Sequence, residues 1–193
     1  MRFVLALWLI FLFPTLIFAQ SDKTREIRQI NSYVRKLSVF VEKNPKSLEI
    51  YANASQTEKP KWKKFKSETA FEKFRKNKEV DEIAYVWRKS GKVVAANFTF
   101  SSASGDWAHY IFHRFRENGS LAKVEADLRT FYGRISVARN FYFDNNGKLL
   151  LKTAQYRDIS TDKPKKPGED FIDEEVYIFK KVSKLPFAEL LKS

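Results

Sequence analysis

Two histidines, His109 and His113, are the only ones in the chain, and they stand four positions apart in the run WAHYIFHRF. On a helix that spacing lets two imidazoles share one metal ion. The residues around them alternate, which predicts a strand over 107–116, and four residues of strand separate two side chains by ~13 Å. Metal–nitrogen bonds are near ~2 Å, so one ion cannot bridge the pair. The chain has no cysteine to complete a site, and neither metal nor cofactor is expected. Proton transfer remains as the chemistry open to the pair. With Glu125 or Asp127 on the neighbouring strand, His109 or His113 would line a cleft as the acid and base of a small nuclease-like hydrolase. The simpler reading makes both rings polar-tipped aromatics of a half-buried sheet face, beside Trp107, Ile111 and Phe115. No G-x-S-x-G, Walker A or G-x-G-x-x-G motif occurs. The acidic cluster Glu169, Asp170, Asp173, Glu174 and Glu175 lacks the ligand rhythm of a calcium loop.

A second candidate is a contact surface. Residues 59–78 carry nine Lys/Arg against Glu68 and Glu72, with Trp62, Phe65, Phe71 and Phe74 interleaved. Basic charge mixed with aromatics is the composition of interfacial helices and of some nucleic-acid surfaces. Trp62, Lys63, Lys64 and Lys66 are therefore candidate binding residues, with Trp107 and Tyr110 as further aromatic contacts. On a helical wheel Trp62 and Phe65 do not share a face with Phe71 and Phe74, and Ser67 can cap a fresh turn, so two short helices are expected here. The net charge is +13. Residues 20–80 hold 16 Lys/Arg against 8 Asp/Glu, and residues 81–193 hold 19 against 15. Such a surface favours anionic partners such as lipid headgroups, polysaccharide or nucleic acid, and does not choose among them. The partners expected are a lipid-headgroup or polysaccharide surface or an apolar small molecule, not nucleic acid.

These residues must be positioned by a run of strands. Residues 82–158 read as six antiparallel strands joined by tight turns, among them Asn118-Gly119 and the turn at 144–147. Residues 121–131 alternate without a break and are read as a strand, although a helical spacing competes. A seventh strand is expected at 176–179, and a short one fits near 48–51. Residues 22–43 show an apolar stripe at helical spacing, with Ser21 or Asp22 as cap. The expected fold is α+β: an N-terminal amphipathic helix and a short helical region on a six- or seven-stranded antiparallel meander. With no cysteine, 18 Phe, 8 Tyr and 4 Trp must supply the core.

Residues 1–19 have the form of a signal peptide, with Arg2 before a nearly continuous apolar run and Ala19 at the cleavage position. Cleavage would leave one domain, 20–193, without a membrane anchor: 20–80 mostly helical and basic, 81–182 sheet, 183–193 a C-terminal tail. The expected location is periplasmic or extracellular. The stretch RNFYFDNNGKLLLKTAQYRD at 139–158 resembles aromatic hairpins of uncharacterised exported bacterial proteins built from a helix and an antiparallel meander. A curved sheet against a helix is similar, at fold level, to exported lipid-carrier and cystatin-like folds. Neither resemblance implies an activity. The function expected is a non-enzymatic binding module for an apolar small molecule or an anionic ligand or surface, with the hydrolase as the alternative.

Overall fold

The computed structural model describes residues 13–55, 59–78, 80 and 82–192, with side chains from residue 22 onward. The first twelve residues of the expected signal peptide lie outside the described residues. Helix α1 (Phe13–Lys43) leads into strands β1 (Leu48–Asn53) and β2 (Trp62–Phe65) and helix α2 (Glu68–Arg75). Six strands follow: β3 (Glu82–Lys89), β4 (Lys92–Ser101), β5 (Trp107–Phe115), β6 (Leu121–Thr130), β7 (Ile135–Phe143) and β8 (Leu149–Asp158). They form one open sheet in the order β2-β1-β3-β4-β5-β6-β7-β8, antiparallel throughout. The fold is α+β, with eight strands rather than six or seven.

The extra strand is β2, where a short helix was expected. Alternation explains it: Phe65 sits opposite Ile50, and Lys64 opposite Tyr51, so each side chain meets a partner of its own kind of face on β1. Lys63 and Lys64 thus lie on an edge strand, where lysine deters pairing by another chain. Helix α1 differs too. It runs unbroken through Ser21 and Asp22, so neither caps its start, while its end at Lys43 falls where Asn44-Pro45 places it. Helix α2 begins as expected, with Ser67 Oγ accepting a hydrogen bond from the Ala70 amide at 3.1 Å. Replacing Ser67 with Ala should cost about 1 kcal/mol, read as a lower denaturation midpoint; an unchanged midpoint would show the cap to be idle.

Both helices cover the same face of the sheet. Phe71 of α2 packs with Ile50, Ala52, Phe65 and Ile83, and α1 sets Ile30 and Val34 on Ala122 and Tyr142. The register slips by one residue in three hairpins, at 87/88, 114/115 and 142/143, all at the end of the sheet where α1 lies. Bulges place two residues against one and turn an extra side chain outward. Here the extra residues include Ala122 and Leu150, both in the cluster under α1. Strict alternation over 121–131 therefore fails at one point: Ala122 faces α1, whereas Val124 faces the opposite core.

That opposite face is covered by the C-terminal segment. Phe171 meets Tyr156 of β8, Phe179 meets Phe98 and His113 in the middle, and Phe187 stacks on Tyr51 of β1. Residues 171–187 thus cross the sheet as a strap. The strand expected at 176–179 does not form, because the segment runs over the face instead of beside an edge. Nor are residues 183–193 a tail: Leu185 and Phe187 are buried, between 3₁₀ turns at Val182–Lys184 and Ala188–Leu191.

Candidate functional site

The register decides which candidate residues can meet. His109 lies opposite Phe100 and Leu128, and His113 opposite Ala96 and Val124, all on the strap face. Glu125 lies opposite Phe112, on the helix face. The sheet separates both histidines from Glu125, so the cleft imagined for the three does not exist. His109 is 2% exposed and His113 is fully buried under the strap. His113 Nε2 accepts a hydrogen bond from the Phe179 amide at 3.3 Å. Burial lowers the pKa of both to about 4, helped for His109 by the nearby Arg139 charge, so both rings are neutral at pH 7. Arg139 is itself buried and pairs with Asp173 of the strap.

The basic-aromatic candidates are divided in the same way. Trp62 points to the strap face and contacts Phe98 and Phe187 as part of the core edge. Lys64 bonds Glu49 at 2.8 Å, and burial of that carboxylate is outweighed by Lys64, Tyr51 and Arg88, which hold it below its usual range. Lys63 lies over the rings of Phe65 and Phe74, while Lys66 is exposed. Lys63, Lys64 and Lys66 therefore do not share one face. Trp107 stands at the start of β5, among the lining of a pocket under the strap.

Among the binding candidates Tyr110 opens on the helix face over the middle strands, away from Lys63 beside α2. There, α1 covers the bulged end of the sheet and α2 covers β1 to β3, and among the described residues neither helix covers the middle strands. A depression of about 790 Å³ occupies that gap. Its floor is set by register: Asn97, Phe112, Glu125 and Asn140 stand in line across β4 to β7, with Thr99, Tyr110, Asp127 and Ala138 in the next row. Tyr110 is 38% exposed. Phe112 carries the Arg114 guanidinium over its ring at 3.5 Å, and its ring centroid lies 5.4 Å from that of Trp87. Arg114 is buried, bonds Glu125 at 3.2 Å, and shares that carboxylate with Lys123 at 2.9 Å. Burial would raise Glu125, but Lys123 and Arg114 hold it below the usual carboxylate range. Arg129 bonds Asp127 at 2.8 Å and lies over Tyr110, and Arg157 bonds Asp162 at 3.1 Å.

The arrangement suits binding better than proton transfer. A general acid at pH 7 needs a pKa raised toward neutrality, and Glu125 moves the other way. Arg129 and Arg157 each bond a carboxylate and Arg114 and Lys123 share Glu125, so the face offers paired charges, amides and two aromatic rings. No protein-family model, curated protein sequence or solved structure matches this chain. Asn97, Phe112, Arg114, Arg129 and Asn140 escaped the sequence reading. The signal lay on the other side of the histidine strand, where Tyr110, Phe112 and Arg114 alternate with His109, Ile111 and His113.

Proposed function

We propose that this chain is an exported, non-enzymatic binding module whose ligand is a polysaccharide held on the bare helix face. The observation that carries the reading is the row of Asn97, Phe112, Glu125 and Asn140 with Tyr110 beside it, left uncovered between the two helices. A sugar ring has apolar C–H faces that stack on aromatic rings, and hydroxyls that both donate to carboxylates and amide oxygens and accept from guanidinium and amide N–H groups. A face of matched charges suits that ligand better than a lipid tail, which has nothing to offer buried polar groups. The apolar space between sheet and strap is filled by Phe98, Phe179, Leu185 and Phe187, which removes the room an apolar ligand would need there. Export is supported by residues 1–19, and N-terminal sequencing of the protein recovered from an exporting host checks it.

A panel of neutral and uronic-acid-bearing oligosaccharides tests the reading. Binding should be saturable, and Tyr110→Ala should weaken it by about tenfold, as loss of an aromatic anchor costs more than about 1 kcal/mol. Changing Lys63, Lys64 and Lys66 to Glu should leave glycan affinity unaltered. No binding across the panel, or equal affinity in Tyr110→Ala, would refute the assignment. Loss of binding to anionic vesicles in the lysine variant would transfer the contact surface to the β2 edge.

A further inference from the structure

The strap face has a pocket of about 320 Å³ at the end of the sheet away from α1, where the start of β5, the end of β4 and the strap meet. Its chemistry is the reverse of the chain as a whole. The chain holds 36 Lys and Arg, yet among the described residues none lines this pocket, and three carboxylates do: Glu82, Glu174 and Glu175. Among the described residues none of the three is in an ion pair; Glu82 accepts one hydrogen bond, from Asn53 Nδ2 at 3.2 Å. The walls are aromatic. Phe100 and Tyr177 face each other with ring centroids 5.5 Å apart, and Trp107 stands across from them on the next strand.

His109 supplies an independent sign. It lies opposite Phe100, lines the same pocket, is 2% exposed, and its Nε2 has no hydrogen-bond partner among the described residues. An unpartnered buried nitrogen is costly, and a neutral imidazole nitrogen without a proton accepts from a donor such as an ammonium N–H. Aromatic faces attract cations through their ring quadrupoles, and unpaired carboxylates complete the attraction. We propose that this pocket binds a primary alkylammonium ion, its charge set between Glu174, Glu175 and Glu82 and its alkyl chain against Phe100, Trp107 and Tyr177, with His109 accepting one ammonium N–H. The ligand is either a free amine or a lysine side chain presented by another protein. This site lies on the face opposite the polysaccharide surface and does not depend on that reading.

Pentylamine is the probe, with 1-pentanol as its uncharged counterpart and tetramethylammonium as a cation without N–H. In ¹H–¹⁵N spectra, pentylamine should shift the Trp107 indole and the amides of residues 101–103 and 174–177 saturably, and at least about tenfold more tightly than either counterpart. Nα-acetyl-lysine amide in place of pentylamine separates the sources: binding as tight or tighter points to a presented lysine, weaker binding to a free amine. The double variant Glu174→Gln, Glu175→Gln, in which Glu175 is exposed and Glu174 half-buried, should lose at least about tenfold in pentylamine affinity while keeping its remaining spectrum. Equal response to pentylamine and pentanol, no saturable shift with any amine, or unchanged affinity in the double variant would overturn the proposal. Tighter binding of tetramethylammonium would overturn the role given to His109.

Discussion

Acidification from pH 6.5 to 4.5 should strip the protein of several kcal/mol of stability, with His109 and His113 as the cause. Folding holds both near a pKa of about 4, against an ordinary value of 6.5. Above pH 6.5 both states carry neutral rings and the histidines impose no slope. Below it the unfolded chain takes up protons that the folded chain refuses, so stability falls as pH falls, by up to about 1.4 kcal/mol per pH unit for each ring. The loss is complete near pH 4, where the folded state also protonates. Across the whole window it amounts to about 3 kcal/mol per histidine, a large share of the roughly 5–15 kcal/mol that a domain commands. Glu49 and Glu125, held below their usual 4.5, add loss of the same sign only under about that pH, so the range 6.5 to 4.5 isolates the rings. Urea titrations at half-unit steps measure the slope. The double variant His109→Gln, His113→Gln should flatten it; a wild-type profile already flat, or an unflattened variant, would show that the strap does not seal the rings from water.

Phe187→Ala should be strongly destabilising. The ring is 2% exposed and stacks on Tyr51 at 4.4 Å with an 11° interplanar angle, while Trp62 lies at 5.0 Å and Phe98 at 5.8 Å. Truncating a buried Phe costs about 3–5 kcal/mol through lost transfer energy and the cavity left behind. Phe131, 65% exposed in the turn before β7, serves as the control and should change stability by less than about 0.5 kcal/mol. If the two alanine variants unfold at the same denaturant concentration, the strap end is not part of the core.

The contrast between those two phenylalanines marks what the chain discloses in one dimension. Strands β3 to β8 were legible because period two and turn residues are local: Gly119 and Gly147 sit at φ 79° and 80°, as the hairpin reading of Asn118-Gly119 and the 144–147 turn requires. Strand β2 was not, because four residues of WKKF satisfy either period and only the partner β1 decides. The strap was misread for a related reason. Alternating apolar residues at 176–179 suggest a strand, but nothing local says whether the segment lies beside a sheet or across it. The site residues followed the same rule. Tyr110 was found by type, whereas the alignment of Asn97, Phe112, Glu125 and Asn140 exists only once four strands are in register. The partnership of His109 and His113 with Glu125 failed on cross-strand register: Glu125 sits opposite Phe112, while the histidines sit opposite Leu128 and Val124.

The strap also fixes an order of events in the making of the molecule. Consecutive hairpins close over a few residues and can form as soon as each pair of strands is available. The covering layer cannot: Phe179 reaches back 66 positions to His113, and Phe187 stacks on a ring near the start of the sheet. During synthesis, which delivers the N-terminal portion first, the aromatic face of the sheet stays open until residues 171–187 emerge. The nascent chain is therefore at its stickiest between the completion of β8 and the arrival of the strap, and a stop codon between Asp158 and Phe171 leaves a fully paired sheet with one greasy side bare.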